Sequence, residues 1–139
     1  MRLRFSLAIA LFSVLAASLV AACSGSSTAK APTKTPVVVR GVINRVLGAV
    51  NTDFTVSLVG MRDRVRPDIQ GRFVLEAPAE TSDLTVAFET PEVTLEADID
   101  DIPEGTETVL ASFDLQVNRG TAELEEVRFL SASGSPIKE

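Results

Sequence analysis

The sequence predicts an all-β domain, an antiparallel β-sandwich of about seven strands. Three observations carry that reading. Apolar and polar residues alternate with period two in short runs from Val37 to Leu130, the signature of strands with one buried face. Turns bearing Gly, Pro, Asn or Asp separate the runs, at the spacing of a sandwich. No stretch of this region sustains a helical period.

The elements follow in order. Val37, Val39, Gly41 and Ile43 share one parity and open the domain. Phe54, Val56 and Leu58 form the next apolar face. Arg62, Arg64 and Arg66 fall on one face of a short strand. Phe73 and Leu75 mark a further strand, followed by Leu84, Val86 and Phe88. Val93, Leu95, Ala97 and Ile99 alternate with Thr94, Glu96 and Asp98. Val109, Ala111, Phe113, Leu115 and Val117 form the longest uninterrupted face. Asn118-Arg119-Gly120 is a turn, with Gly where a positive φ is needed. In the final run Ala122 and Leu124 have one parity, Val127 and Phe129 the other. A bulge near Glu125–Glu126 reconciles them. The expected domain is 37–130, with 131–139 as a disordered tail.

One turn is legible in chemical detail. In Asp68-Ile69-Gln70-Gly71-Arg72-Phe73 the Asp carboxylate is placed to accept from backbone N–H groups ahead of it. Gly71 is free to take positive φ, and Phe73 enters the core. Together with Gly41, with Thr55-Val56-Ser57-Leu58-Val59-Gly60, and with the connection Ile102-Pro103-Glu104-Gly105-Thr106, this turn resembles the carboxypeptidase-regulatory-like, transthyretin-like sandwich family. The resemblance covers about residues 37–117 and implies a two-sheet domain. Where that family has an Asp and a Gly-Pro turn after the first strand, this chain reads Asn44-Arg45-Val46-Leu47-Gly48. Similar sandwiches form isopeptide crosslinks, but no Lys lies between Lys34 and Lys138 to donate an amine.

Before the domain, Arg2 and Arg4 precede an apolar and small-residue run from Phe5 to Ala22. A charged start, an apolar stretch and a small-residue end describe a secretory signal, helical and occupying residues 1–22. The run is also long enough for a membrane anchor to be the rival reading. Val20-Ala21-Ala22-Cys23 decides between them, because it resembles the lipobox of bacterial lipoproteins. There the peptidase needs small residues beside the scissile bond, and the Cys thiol takes the lipid. The resemblance implies an acylated Cys23, palmitate being a typical chain, and an anchor of two or three acyl chains on the outside of the cytoplasmic membrane. Each methylene they bury contributes about 0.8 kcal/mol. Ser24 stands where Asp would retain such a protein on the inner membrane, so in a two-membrane organism the outer one is implied. Residues 24–36, SGSSTAKAPTKTP, form a polar, flexible linker reaching roughly 20 Å. Lys30 and Lys34 are either solubilising charges or contacts for anionic headgroups.

Composition removes several functions. The chain of 139 residues has 13 Lys and Arg against 19 Asp and Glu, so a nucleic-acid partner is not expected. It has no His and one Cys, which takes away the commonest general base, an internal disulfide and a cysteine-rich zinc site. Ser131, Ser133, Ser135 and Lys138 lie in a polar tail that would not hold a nucleophile and its base in place. No enzyme and no cofactor is expected.

Two constellations remain. From Arg40 to Arg72 six Arg face three acids, whereas from Glu76 to Glu126 fifteen acids face Arg119 alone. Either these groups pair across the sheet and are otherwise solvated, the favoured reading, or the domain is dipolar, basic side to lipid and acidic side to a partner. Asp100, Asp101 and Glu104 form a turn cluster of hard oxygens that could hold Ca²⁺. Carbohydrate binding usually uses exposed aromatic rings, but Phe54, Phe73, Phe88, Phe113 and Phe129 all have core-facing parity. The expectation is a lipid-anchored, non-catalytic structural or protein-interaction module of the envelope surface, its partner an envelope protein. A calcium- or carbohydrate-binding module is the alternative.

Overall fold

The computed structural model describes residues 34–48 and 53–138. The expected signal segment, Val20, Ala21, Ala22 and Cys23, and the linker up to residue 33 lie outside the described residues. The chain divides between Thr33 and Lys34, and the unit that begins at Lys34 is the β domain.

The domain is all-β and has two four-stranded sheets. Its strands are β1 Val37–Leu47, β2 Thr55–Leu58, β3 Arg64–Val65, β4 Arg72–Ala77, β5 Leu84–Glu89, β6 Thr94–Ile99, β7 Thr108–Gln116 and β8 Thr121–Leu130. One sheet has the order β4-β1-β7-β8, the other β3-β2-β5-β6. The eighth strand is β3, two residues long, too short to show a period of its own. It carries Arg64 but leaves Arg62 and Arg66 outside, so the three arginines do not share a strand.

The pairing is mixed rather than purely antiparallel. β1 and β7 run parallel, with Val38 beside Thr108 and Leu47 beside Gln116. The reason is topological. The connection after β6 brings the chain back to the end of the sandwich where β1 begins: the Val38 N–H donates to the Glu107 carbonyl at 2.9 Å. β7 must then run in the direction of β1. Alternation along each strand reads identically for either direction, so period two could not report this.

The alternation itself carries over into burial. Val37, Val39 and Ile43 of β1, Phe73, Leu75 and Ala77 of β4, and Val109, Ala111, Phe113 and Leu115 of β7 are all buried. Leu84, Val86 and Phe88 of β5 and Leu95, Ala97 and Ile99 of β6 close the core from the other sheet. At the centre the Phe73, Phe88 and Phe113 rings meet, with centroids 5.9, 6.1 and 5.1 Å apart. Edge and offset contacts of this kind add about 0.5–1.5 kcal/mol per pair beyond area burial.

Gly41 makes that cluster fit. It lies opposite Phe73 in the β1–β4 pairing, and the ring lies over its backbone. A Cβ added to Gly41 would collide with the ring edge, 2.5 Å from both Cε carbons. No other residue type leaves room for the ring there.

Two bulges flank Phe113. The β7–β8 register shifts between Ser112 and Phe113, where Ser112 faces Glu126 and Phe113 faces Leu124, so Glu125 is the extra residue. That is where the parity change places it. A second shift, in β1 between Ile43 and Arg45, makes Asn44 the extra residue. The segment 44–47 therefore continues β1, and Val46 returns to pack against the core. The turn after β7 is a single 3₁₀ turn, Val117–Arg119, closed by Gly120 at φ +69°.

The Asp68 turn has the expected chemistry. Its Oδ1 accepts from the N–H groups of Gln70 at 2.8 Å and Arg72 at 2.9 Å, and Gly71 has φ +76°. The expected disordered tail is corrected by the structure up to Ile137. Gly134 N–H donates to the Ser131 carbonyl, Leu130 bridges Pro136, and Ile137 N–H donates to the Phe129 carbonyl. Ile137 packs against the core. Its single apolar side chain is anchored by a turn that composition alone reads as loop.

Two stability changes are expected. Gly41→Ala should cost about 1–3 kcal/mol, the usual penalty of overpacking. Adding Phe73→Leu should then cost less than the two separate losses combined, as urea titration of the three variants would show. Gly71→Val should cost more than about 1 kcal/mol, because a β-branched residue resists positive φ; the same titration checks it.

Candidate functional site

The expected site residues do not converge. Asp100 lines a hollow with Val59, Met61, Asp83 and Thr85. Glu104 lines a different one with Lys34, Glu80 and Glu107. Asp101 lies between them at φ +55°, its N–H donating to Asp83 Oδ1 at 3.2 Å. Among the described residues no three acidic groups are placed to hold a metal ion. The signal for calcium was density of acids in sequence; within the one loop 100–107 the fold turns Asp100 and Glu104 to different hollows.

The phenylalanines also have a settled place. Phe54, Phe73, Phe88, Phe113 and Phe129 are all buried, so no ring among the described residues forms an exposed platform for a sugar.

Six of the fifteen acids between Glu76 and Glu126 gather at one end of the domain. The end where β1 begins gathers Glu80, Asp83, Asp100, Asp101, Glu104 and Glu107 in the loops 78–83 and 100–107, joined by Ile102 N–H donating to the Ser82 carbonyl at 2.8 Å. Lys34 is drawn onto Glu80 there. These acids lie at the end where the chain enters the domain at Lys34. Cross-sheet pairing accounts for part of the remainder. Arg64 meets Glu89 at 3.0 Å and Arg45 approaches Asp114 at 3.9 Å. Such exposed pairs contribute about 0–1 kcal/mol.

What sequence reasoning missed lies on the outer face of the sheet β4-β1-β7-β8. Two rows of side chains cross it. In the first, Val74, Arg40, Leu110 and Arg128 stand side by side; in the second, Arg72, Val42, Ser112 and Glu126 do. Together they line an open hollow of about 460 Å³. Arg128 is held by Glu126, with Nε donating to Oε1 at 2.7 Å. Among the described residues Arg40 and Arg72 make no ion pair. Val74 is 52% exposed, and Val42 and Leu110 are half-buried. A signal for this face was present in the alternation: Val38, Val42, Val74 and Leu110 are apolar at outward-facing parity.

Neither family models, nor curated proteins, nor solved structures gave a match to this chain.

If the acids act only as a solvated rim, millimolar Ca²⁺ should leave the melting temperature of the chain unchanged. Thermal scans with Ca²⁺ and with a chelator check this, and a rise abolished by changing Asp100 and Asp101 to Asn would reverse it.

Proposed function

We propose that this chain is a bacterial lipoprotein whose all-β domain is a non-catalytic, structural or protein-interaction module at the envelope surface. The observation that carries the reading is Val20-Ala21-Ala22-Cys23 at the end of an apolar run that begins after Arg2 and Arg4. The lipid on Cys23 is the anchor, and two chains hold where one would exchange. The polar residues 24–36 are the tether.

The character of the domain supports a module rather than a catalyst. Its buried side chains are aliphatic or phenylalanine apart from Ser57 and Thr106, and Thr106 Oγ1 is spent on the Pro103 carbonyl at 2.7 Å. Catalysis asks for polar groups held at a site that excludes water, whereas the hollows here are open. The carboxypeptidase-regulatory-like, transthyretin-like family is the proposed kinship. It is supported by the contact of Phe73 with Gly41, which joins two residues that the resemblance picked separately. The outer membrane is the proposed destination where the organism has two.

The test is mass spectrometry of the mature N-terminal peptide together with fractionation of two variants. Cys23→Ala should leave an uncut precursor in the cytoplasmic membrane, held by its own 5–22 segment. Replacing residues 1–23 by an ordinary cleavable signal should release the domain without lipid. An unmodified Cys23 in the native protein, or membrane retention of the signal-swapped domain, would overturn the reading.

A further inference from the structure

Deepening that reading and resting on it, we infer that the outer face of the sheet β4-β1-β7-β8 docks an acidic, extended segment of a partner protein, with Arg40 and Arg72 as its anchors. The argument starts from charge. The chain is acidic as a whole, and four cations of the described residues are paired: Lys34 with Glu80, Arg45 with Asp114, Arg64 with Glu89 and Arg128 with Glu126. Arg40 and Arg72 are two of those that are not, and they stand side by side on one sheet face. Arg40 and Arg72 sit on adjacent strands at diagonal positions, with Cα atoms about 7–8 Å apart. The acid on their own strands, Glu76, stands opposite Val38 and makes no ion pair among the described residues. Two neighbouring guanidinium groups without a counterion, in so acidic a protein, are complementary to carboxylates brought from outside.

The floor between them selects the type of partner. Val42, Val74 and Leu110 alternate with the arginines across the two rows and line the same hollow. An apolar centre flanked by Arg is the composition of a protein-docking surface. A polysaccharide would call for exposed rings, and the five phenylalanines of the described domain are buried. A lipid headgroup is disfavoured by position. Arg40 and Val42 stand three and five residues along β1 from Val37, roughly 10–17 Å from the end that receives the linker, and that end is acidic. An extended segment with an aliphatic side chain between carboxylates matches this alternation.

The experiment uses the full chain in its native membrane, with a photo-crosslinking amino acid at Val74 and, as a control, at Val59, which is 56% exposed just after β2 of the other sheet. The expected result is an adduct from position 74 to a peptide whose carboxylates outnumber its amines. It should fall at least tenfold in the Arg40→Glu, Arg72→Glu double variant and persist in Arg119→Glu. Arg40→Gln with Arg72→Gln should lower the adduct too, and melting curves would certify that each variant folds. No adduct, an adduct to lipid or to a neutral or basic segment, or one that survives both double variants would overturn the proposal. The mass of the N-terminal peptide from the same membranes tests the anchor separately, so a missing lipid and a missing partner are distinguishable.

Discussion

The core of this domain depends on a missing atom. Because Gly41 has no Cβ, the far edge of the Phe73 ring can lie over the backbone of β1 while the ring meets both Phe113 on its own sheet and Phe88 on the facing one. These three rings are the largest bodies at the centre of the sandwich, and a buried Phe contributes on the order of 1.5–3 kcal/mol through area alone. The cost is a glycine within a strand, roughly 0.5–1 kcal/mol. That loss is smaller than what the ring returns. The Asp68 turn serves the same contact, since Asp68 and Gly71 set the start of β4 and thereby the height at which Phe73 enters. The bulges at Asn44 and Glu125 flank Phe113, the other partner of the ring, and each lets its strand keep apolar side chains inward past that crowded layer.

Strand direction then distributes the charge. β1 rises from the end that receives the linker, and the crossings 78–83 and 100–107 return at that same end. Both are rich in acids, so the carboxylates gather there whatever their order in sequence. Arg40, Arg72 and Arg128 arise from outward positions of β1, β4 and β8 and fall along one sheet face, whereas Arg62, Arg64 and Arg66 lie at and around β3 of the other sheet. Neither the basic run nor the acidic run of the sequence stays together as one patch, which no linear count of charge could show.

The parts of the fold that were legible are those written locally. The strands, the inward parity of the five phenylalanines, the Asp68 turn, the positive φ at Gly71 and Gly120, and the bulge at Glu125 each follow from a few neighbouring residues. What escaped is non-local. The parallel pairing of β1 with β7 depends on where a distant connection returns, and alternation has no direction. β3 has two residues and no period. The tail 131–137 looks like loop until Ile137 finds a core to touch. The acidic trio 100, 101 and 104 looked like one site because sequence proximity was read as spatial convergence. Gly41 was visible as a glycine at a core-facing position, but its reason lay in a ring more than thirty residues away.

The outer sheet face shows the same limit from the opposite side. A sandwich needs only one face of each sheet to be apolar, so Val38, Val42, Val74 and Leu110 are surplus to the requirements of folding. Arg40 and Arg72 are equally surplus: the residues directly beside them, Val74, Leu110 and Val42, offer no carboxylate, and an exposed arginine gains little for stability. Each of these residues alone is ordinary surface. Their meaning comes from register, which puts Arg40 beside both Val74 and Leu110, and Arg72 beside Val42. Apolar residues and unpaired guanidinium groups converge on one surface, and neither is needed to hold the sandwich together.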